Sequence, residues 1–225
     1  NTFIKDGERS TYVFKRQCIE SCLYGVDIDS GAVEIAKLRL WLSLVVEEDD
    51  IKNIKPLPNL DYKIVCGNSL TGVEINLFNE KLFRELEEVK PFYFNETNPT
   101  KKQVYKKQID DLIIQITNGH KEFDFEVYFS EVFHEKGGFD VLIANPPYIT
   151  IGGKQDYYIT DSERKLYDKY FKTYDYKTNY FALFIEKSIS MSESAGIVTY
   201  IVPRTLLDNF HMQKLRYLIL NSTRI

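Results

Sequence analysis

Residues 139–148 have the sequence FDVLIANPPY, and this stretch decides how we interpret the rest of the chain. The first six residues, 139–144, are apolar enough to form a strand that is buried on both faces of a parallel sheet. Two successive prolines, Pro146 and Pro147, cannot continue a central strand, so the strand must end abruptly at Asn145. Backbone carbonyls then leave the hydrogen-bonded ladder at the carboxyl end of the strand, where open α/β sheets bind ligands.

The side chains of this turn suit a planar group that carries an exocyclic amine. Asn145 adds an amide oxygen to the freed carbonyls, and Tyr148 adds a flat ring for stacking. Such an amine, for example N6 of adenine, is a poor nucleophile because its lone pair is delocalised into the ring. Acceptors placed for a tetrahedral nitrogen stabilise the charge that develops during methyl transfer more than the planar ground state. A plain strand-terminating turn is the alternative, but the whole unit after a buried strand favours a site.

Polar residues also follow two predicted strands nearer the amino terminus. Asp27 follows the strand of residues 23–26, where a carboxylate can accept hydrogen bonds from ribose hydroxyls while Ile28 packs on an adenine ring. Asn68 follows the next predicted strand and can bond the edge of the same adenine. Each has a simpler alternative, because an acid here often caps the next helix, a role that suits Asp29, and an Asn often only forms a turn.

The hydrophobic pattern alternates strands and helices, which predicts an α/β sheet that is mostly parallel. The predicted helices are residues 11–21, 32–46, 78–89, 100–116, 179–191 and 210–220, and the predicted strands are 23–26, 62–66, 139–144 and 196–202. Ser30 is the expected N-cap of the second helix. Residues 123–133 are rich in aromatic side chains and are expected to pack on the core. A polar loop is expected over residues 149–177.

The composition excludes several classes of protein. The 225 residues are 44% hydrophobic and 28% charged, as in soluble globular domains, and no apolar run is long enough to span a membrane. The three cysteines form no CxxC pair and the three histidines show no ligand spacing, so we expect no metal site and a reduced, cytoplasmic setting. A net charge of −4 argues against a free-standing nucleic-acid binder, but not against an enzyme whose basic recognition domain lies elsewhere.

A series of short motifs along the chain closely resembles the type IIG restriction-modification proteins. The motifs are LYGVDID at residues 23–29, AKLRLWLSL at 36–44, CGNSL at 66–70, FDF at 123–125, SEVF at 130–133, GFDV at 138–141, NPPYI at 145–149, FIEK at 184–187 and IVP at 201–203. The resemblance covers nearly the whole chain. It implies an adenine-N6 DNA methyltransferase that uses S-adenosyl-L-methionine and acts on an adenine flipped out of the duplex.

The resemblance also implies how the target base is held. Asn145-Pro146-Pro147-Tyr148 would grip the flipped adenine as the catalytic residues, and Asn179 and Phe181 would line the pocket around it. Double-stranded DNA is then expected to bind through domains outside this segment, and no membrane partner is expected.

The cofactor residues are implied in the same way. Asp27 and Ile28 match the positions that contact the ribose and the adenine of S-adenosyl-L-methionine. Asn68 stands where many relatives have an Asp at the adenine amine, so this contact departs from the family pattern. The family's glycine-rich loop, which holds the methionine part, is expected before residue 23, yet residues 1–22 contain only Gly7.

The resulting fold prediction is an incomplete Rossmann-like methyltransferase core, residues 11–69 and 139–225, interrupted by a helical insertion at 70–138. The first, central strand of the family's sheet is expected to be missing, and the segment alone is expected to be inactive. Strands 23–26 and 139–144 would then have unpaired edges. We expect them either to pair directly with each other or to recruit another segment or another copy, which would make the segment self-associate.

Three other functions fit part of the sequence. A protein-glutamine N5 methyltransferase also uses an Asn-Pro-Pro-Tyr unit to hold a planar amide, but the long insertion before residue 139 counts against it. A non-catalytic methyltransferase-like scaffold in a phage-defence complex is compatible with the absent glycine loop, although the intact Asn-Pro-Pro-Tyr unit speaks against it. A dinucleotide-dependent oxidoreductase is the third alternative, but that function does not explain the Asn-Pro-Pro-Tyr unit.

Overall fold

The computed structural model describes residues 11–48, 60–72, 79–119, 123–151, 159–175 and 177–225. By its internal contacts the chain divides into two units, Asn1–Phe129 and Ser130–Ile225. The elements of the first unit are α1 (Thr11–Ser21), β1 (Gly25–Asp27), α2 (Ser30–Val45), β2 (Ile64–Cys66), α3 (Glu80–Asn95), α4 (Pro99–Ile116) and α5 (Phe125–Tyr128). Those of the second are α6 (Ser130–Lys136), β3 (Phe139–Ala144), α7 (Asp161–Tyr170), α8 (Tyr180–Met191), β4 (Ser192–Tyr200), α9 (Thr205–Asp208), a 3₁₀ turn (Phe210–Met212) and α10 (Gln213–Ser222).

In the first unit β1 and β2 form a parallel pair, with Gly25 opposite Ile64 and Asp27 opposite Cys66. Both strands therefore end at the same edge, and the residues that follow them lie side by side. Helices α1 and α2 share an apolar core with the β2 side of this pair, formed by Tyr12, Ile19, Val33, Leu44, Leu60 and Ile64. The mixed α/β fold with parallel strands confirms that part of the prediction.

Helix α2 begins at Ser30, two residues earlier than the sequence predicts. The Asp29 backbone is extended, and its side chain accepts a hydrogen bond from the Ala32 N–H at 2.9 Å. Asp29 is therefore the N-cap, which satisfies one of the orphan N–H groups at the start of the helix. The prediction of Ser30 as N-cap is wrong, because Ser30 is already the first helical residue.

Two helices, α3 and α4, follow β2 and pack against each other. Helix α3 continues through Pro91, beyond residue 89 where we predicted its end. Helix α4 starts at Pro99 with Asn98 as its N-cap. Proline is favourable at the first helical position because the N–H that it lacks would have no intrahelical partner there.

The aromatic-rich segment after α4 packs on the core of the first unit, as predicted. The segment buries Phe123, Phe125, Val127, Tyr128 and Phe129. The ammonium group of Lys90, a buried residue of α3, donates to the carbonyls of Val127 and Tyr128. A buried ammonium needs such acceptors, so these bonds tie the segment to α3.

In the second unit β3 and β4 form a parallel pair, in register from Val141 opposite Ile197 to Ala144 opposite Tyr200. Strand β4 starts at Ser192, earlier than predicted. Helix α8 packs with the 3₁₀ turn and α10 around a core of Phe181, Ala182, Ile185, Met212 and Leu215. This packing sets the start of α8 close to the carboxyl ends of both strands.

Strand β3 has the predicted bounds but not the predicted burial. Val141 is 51% exposed and Ile143 is 77% exposed, so the expectation that both faces of this strand are buried is wrong. An apolar run shows that both faces of a strand can be buried. Whether they are buried depends on other elements of the chain packing against them.

The predicted polar loop over residues 149–177 is also wrong, since it contains helix α7. The Thr160 side chain accepts from the Glu163 N–H, and the Glu163 carboxylate accepts from the Thr160 N–H. This reciprocal pair is a capping box, which stabilises the first turn of a helix.

Within the described residues, each unit contains one pair of strands, β1 with β2 and β3 with β4. How the edges of strands 23–26 and 139–144 are completed stays a prediction.

Candidate functional site

The predicted turn after β3 meets the end of β4. Asn145, Pro147 and Tyr148 are exposed, whereas Pro146 is buried. The Tyr148 hydroxyl oxygen lies 2.7 Å from the carbonyl oxygen of Ile201, which follows β4. It also lies 3.1 Å from Oδ1 of Asn145. Because the two strands are parallel, their carboxyl ends lie at the same edge of the sheet, and the tyrosine hydroxyl bridges the residues that follow them.

The Tyr148 ring is supported by a phenylalanine at the start of α8. The Tyr148 and Phe181 ring centroids are 6.5 Å apart and the rings are nearly perpendicular, at 83°. Phe181 is fully buried, while Tyr148 keeps 48% of its surface exposed. An edge-to-face contact of this kind holds the ring in place and leaves ring surface available for stacking.

Asn179 joins the segment after the turn to the start of α8. Its Oδ1 accepts from the Phe181 N–H at 3.2 Å, which makes it the N-cap of the helix, and its Nδ2 lies 3.4 Å from the Thr150 hydroxyl. Backbone bonds from Tyr180 N to Ile149 O and from Ile151 N to Thr178 O complete the junction. The structure therefore places Asn179 near the predicted pocket, with its side chain engaged in capping.

Asp27 and Ile28 lie at the end of β1 in the first unit. The Asp27 carboxylate is exposed, and its Oδ1 accepts from the Asp29 N–H at 2.9 Å. Ile28 is 69% exposed. An exposed carboxylate beside an exposed apolar side chain presents an acceptor for hydroxyl groups and a surface for a planar ring.

Asn68 reaches the same edge through β2. Gly67 N donates to Asp27 O at 2.9 Å, so the two strand ends are in direct contact. The Asn68 Oδ1 accepts from the Leu70 N–H at 3.0 Å, which is the turn-forming alternative considered from the sequence. A side chain on Gly67 would meet the Phe123 ring at 2.3 Å, which explains the glycine at this crossing.

The structure thus forms two groups from the predicted residues. Asp27, Ile28 and Asn68 share the carboxyl edge of β1 and β2 in the first unit, and the turn residues share the edge of β3 and β4 with Phe181 in the second. Sequence reasoning missed the Ile201 carbonyl and the Thr150 hydroxyl. A backbone acceptor carries no residue-type signal, although the IVP motif marked its position.

Three further observations concern the described part of the chain. Within the described ranges, no group of three or more His, Cys, Asp or Glu side chains is arranged to hold a metal ion. The described helices include none with the length and apolar character needed to cross a membrane. Burial raises the pKa of Tyr200, at the end of β4, so its hydroxyl stays neutral while in contact with Ser188.

Comparison with protein families defines the class of this chain. A model of restriction-modification methylases matches residues 21–225, nearly all of the sequence. The chain belongs to the Eco57I restriction-modification methylase family. This confirms the resemblance to restriction-modification proteins that the motifs indicate.

Individual relatives agree with this family. Over 205 residues, 90% of this chain, it is 25% identical to the type II restriction enzyme and methyltransferase RM.Eco57I of Escherichia coli. It is 52% identical to RM.MjaORFECS2P of Methanocaldococcus jannaschii over 69 residues, 29% of this chain. It is 33% identical to the type II methyltransferase M.TthHB8I of Thermus thermophilus over 78 residues, 33% of this chain. The matches cover 16%, 6% and 18% of these relatives, so the chain spans less than a fifth of each.

Proposed function

We propose that the protein containing this chain transfers a methyl group from S-adenosyl-L-methionine to N6 of adenine in double-stranded DNA. In this proposal the chain belongs to a Rossmann-like methyltransferase domain, with core residues 11–69 and 139–225 and a helical insertion at 70–138. The family membership supports a methylase, and the names of the relatives support DNA modification. The arrangement at the end of β3 supports an amine as the group that receives the methyl group.

That arrangement is the observation that carries the proposal. Asn145 is exposed where β3 ends, and its amide oxygen can accept a hydrogen bond from an exocyclic amine, together with the carbonyls freed by Pro146 and Pro147. The half-exposed ring of Tyr148 can stack on the base. As the amine nitrogen forms its bond to the methyl carbon, the bond from that carbon to the sulfonium sulfur would break and the sulfur would leave as a neutral thioether. The nitrogen becomes positively charged and tetrahedral, and these acceptors stabilise it until a proton leaves to solvent.

The residues at the end of β1 and β2 fit the nucleoside part of the cofactor. The Asp27 carboxylate can accept from ribose hydroxyls, Ile28 offers an exposed apolar surface to the adenine, and Asn68 stands beside them. When bound, S-adenosyl-L-methionine supplies a methyl group activated by its sulfonium charge. Asn68 Oδ1 already accepts from the Leu70 N–H, which fixes the side chain and leaves one lone pair and the Nδ2 donors for the cofactor, so we assign it the weakest of the three contacts.

DNA binding is assigned to parts of the protein outside this chain. The net charge of −4 is unlike that of a surface that binds phosphates. Phosphate contacts supply most of the affinity of DNA-binding proteins, so a basic recognition region must position the duplex. The residues described here would then act on the base after it has left the duplex.

The proposal is tested by methyl transfer from isotopically labelled S-adenosyl-L-methionine to DNA, using the intact protein and its Asn145→Ala variant. We expect the variant to lose at least about a hundredfold in rate, about 3 kcal/mol, because one acceptor for the developing charge is gone. Cofactor affinity should stay within about threefold, since Asn145 faces the amine in this account and not the cofactor body.

The matched control is Asn221→Ala, which removes an exposed asparagine of α10 outside the site. This variant should keep the wild-type rate. Near-normal methylation by Asn145→Ala would refute the assignment of the turn, and labelling of protein in place of DNA would favour the glutamine methyltransferase.

A further inference from the structure

The hydroxyl of Tyr148 makes two close polar contacts, but it carries only one proton. Its oxygen lies 2.7 Å from the Ile201 carbonyl oxygen and 3.1 Å from the amide end of Asn145. A phenol carries one O–H, so it can donate one full-strength hydrogen bond and must act as acceptor in any second one.

The proton belongs to the bond with Ile201. A backbone carbonyl can only accept, and two oxygen atoms at 2.7 Å without a proton between them would repel each other. The contact with Asn145 is then favourable only if Asn145 donates an N–H. A rotation of the Asn145 amide by 180° exchanges its oxygen and nitrogen while the two atoms keep nearly the same positions, and such orientations follow from the hydrogen-bond network.

We infer that Tyr148 is a positioning residue for Asn145, in addition to any stacking by its ring. Its hydroxyl, anchored to Ile201 O, receives a hydrogen bond from Asn145 Nδ2 and so turns Asn145 Oδ1 away from itself, where it serves as acceptor for the substrate amine. This inference rests on the proposed function for the identity of the substrate. The anchor is a main-chain atom at the end of a sheet strand, which makes the orientation insensitive to side-chain motion.

The orientation matters because an amide presents opposite chemistry at its two ends. With Nδ2 facing the substrate, two N–H donors would oppose each other, and the developing positive charge would be destabilised. Without the Tyr148 hydroxyl, both orientations of Asn145 become accessible, and part of the population is inactive. The loss of one neutral hydrogen bond corresponds to about a tenfold change in this balance.

The test is a double-mutant cycle on the rate of methyl transfer by the intact protein. Tyr148→Phe keeps the ring and removes the hydroxyl, so kcat should fall, by a factor that the tenfold change in the balance limits to about ten, while KM for DNA changes little. In an Asn145→Asp background both side-chain oxygens are acceptors, so there is no orientation to select. There the same Tyr148→Phe change should cost less than about threefold, which gives a clear coupling between the two sites.

A second measurement does not depend on catalysis. Nuclear magnetic resonance of asparagine-labelled protein should show contacts between the Asn145 side-chain NH2 protons and the Tyr148 ring protons. In Tyr148→Phe these amide protons should exchange faster with solvent. The control Tyr217→Phe, at an exposed tyrosine of α10, should change neither kcat nor the Asn145 signals.

The outcomes separate the inference from the proposed function. A wild-type protein that transfers no methyl group refutes the proposed function, while the resonance measurement still decides the orientation of Asn145. An active wild type in which Tyr148→Phe has the same effect in both backgrounds overturns the positioning role. So does a spectrum in which the Asn145 NH2 protons point away from Tyr148.

Discussion

At Gly67 any side chain would collide with a neighbouring aromatic ring. An added Cβ would lie 2.3 Å from two atoms of the buried Phe123 ring. We expect Gly67→Ala to lower the free energy of unfolding by about 1–3 kcal/mol, as overpacking of a core usually does. Chemical denaturation measures this, and the effect should shrink in a Gly67→Ala/Phe123→Ala double variant because the ring is then absent.

Gly25→Ala is the matched control for Gly67. Its added Cβ would meet Cδ1 of Ile64 at 3.1 Å, the end of a flexible side chain that can move aside. The control should therefore cost clearly less stability than Gly67→Ala. Equal losses at both positions would show that the Phe123 ring does not limit the space at Gly67.

The roles of single residues were predictable where few other roles fit the residue type at that position. The Asn145 to Tyr148 turn stands out because two prolines after an apolar run require the strand to end, and the structure ends β3 at Ala144. The role of Ile201 was not predictable, because its contribution is a backbone carbonyl that every residue has. For Asp29, the sequence suggested capping of the next helix, and the hydrogen bond from the Ala32 N–H shows that it caps α2.

At the scale of elements, Glu186 of α8 holds the turn that precedes this helix. Its carboxylate accepts from Lys172 N and Thr173 N, both at 2.8 Å, and from the Thr173 hydroxyl at 2.6 Å. Glu186→Gln replaces one accepting oxygen by an NH2 group that faces a donor. We expect a loss of about 1–3 kcal/mol in the free energy of unfolding, measured by chemical denaturation.

A change of charge alone should not have this effect. Glu34→Gln, at a side chain that is 72% exposed, is the control and should alter stability by less than about 0.5 kcal/mol. If Glu186→Gln were as mild as the control, the three hydrogen bonds would not be what orders the turn.

Elements were predictable where a periodic pattern was strong, and less so where partners in the fold decide. The bounds of α1, α4 and β3 follow their patterns closely. Helix α7 was missed because its face is mostly polar, although Thr160 and Glu163 form a capping signal that can be found in the sequence. The exposure of Val141 and Ile143 could not be predicted, since it depends on which other elements cover β3.

At the scale of the whole molecule, stability should fall in strongly alkaline solution. Burial, followed by the negative charges of Asp110 and Cys66, raises the pKa of Tyr128 to about 12. Burial and a hydrogen bond to Asp110 also raise the pKa of Tyr62. The folded state thus favours the neutral phenols, so their contribution is complete below about pH 10 and is lost as the pH rises towards about 12.

The measurement is the free energy of unfolding of the chain at about pH 9 and about pH 11.5. The decrease should be smaller in Tyr128→Phe, which has no proton to lose. A decrease of the same size in this variant would assign the alkaline loss to other groups.

The family was predictable from the sequence because several of its motifs, at residues 23–29, 66–70, 145–149 and 201–203, fall at strand ends, where chemistry restricts the residue type. The pairing of the strands was not predictable to the same degree. Which strands pair depends on contacts between segments far apart in the chain, which a local hydrophobic pattern does not encode. The structure shows two parallel pairs, β1 with β2 in the first unit and β3 with β4 in the second.

The central claim, methyl transfer to adenine N6, is tested most directly by identifying the product nucleoside. Unmodified DNA is incubated with the intact protein and S-adenosyl-L-methionine that carries a deuterated methyl group, then digested and analysed by mass spectrometry. The account predicts that the label is found in N6-methyl-2′-deoxyadenosine and that Asn145→Ala abolishes it. Label in a methylated cytosine, or in protein glutamine with none in DNA, would contradict the account.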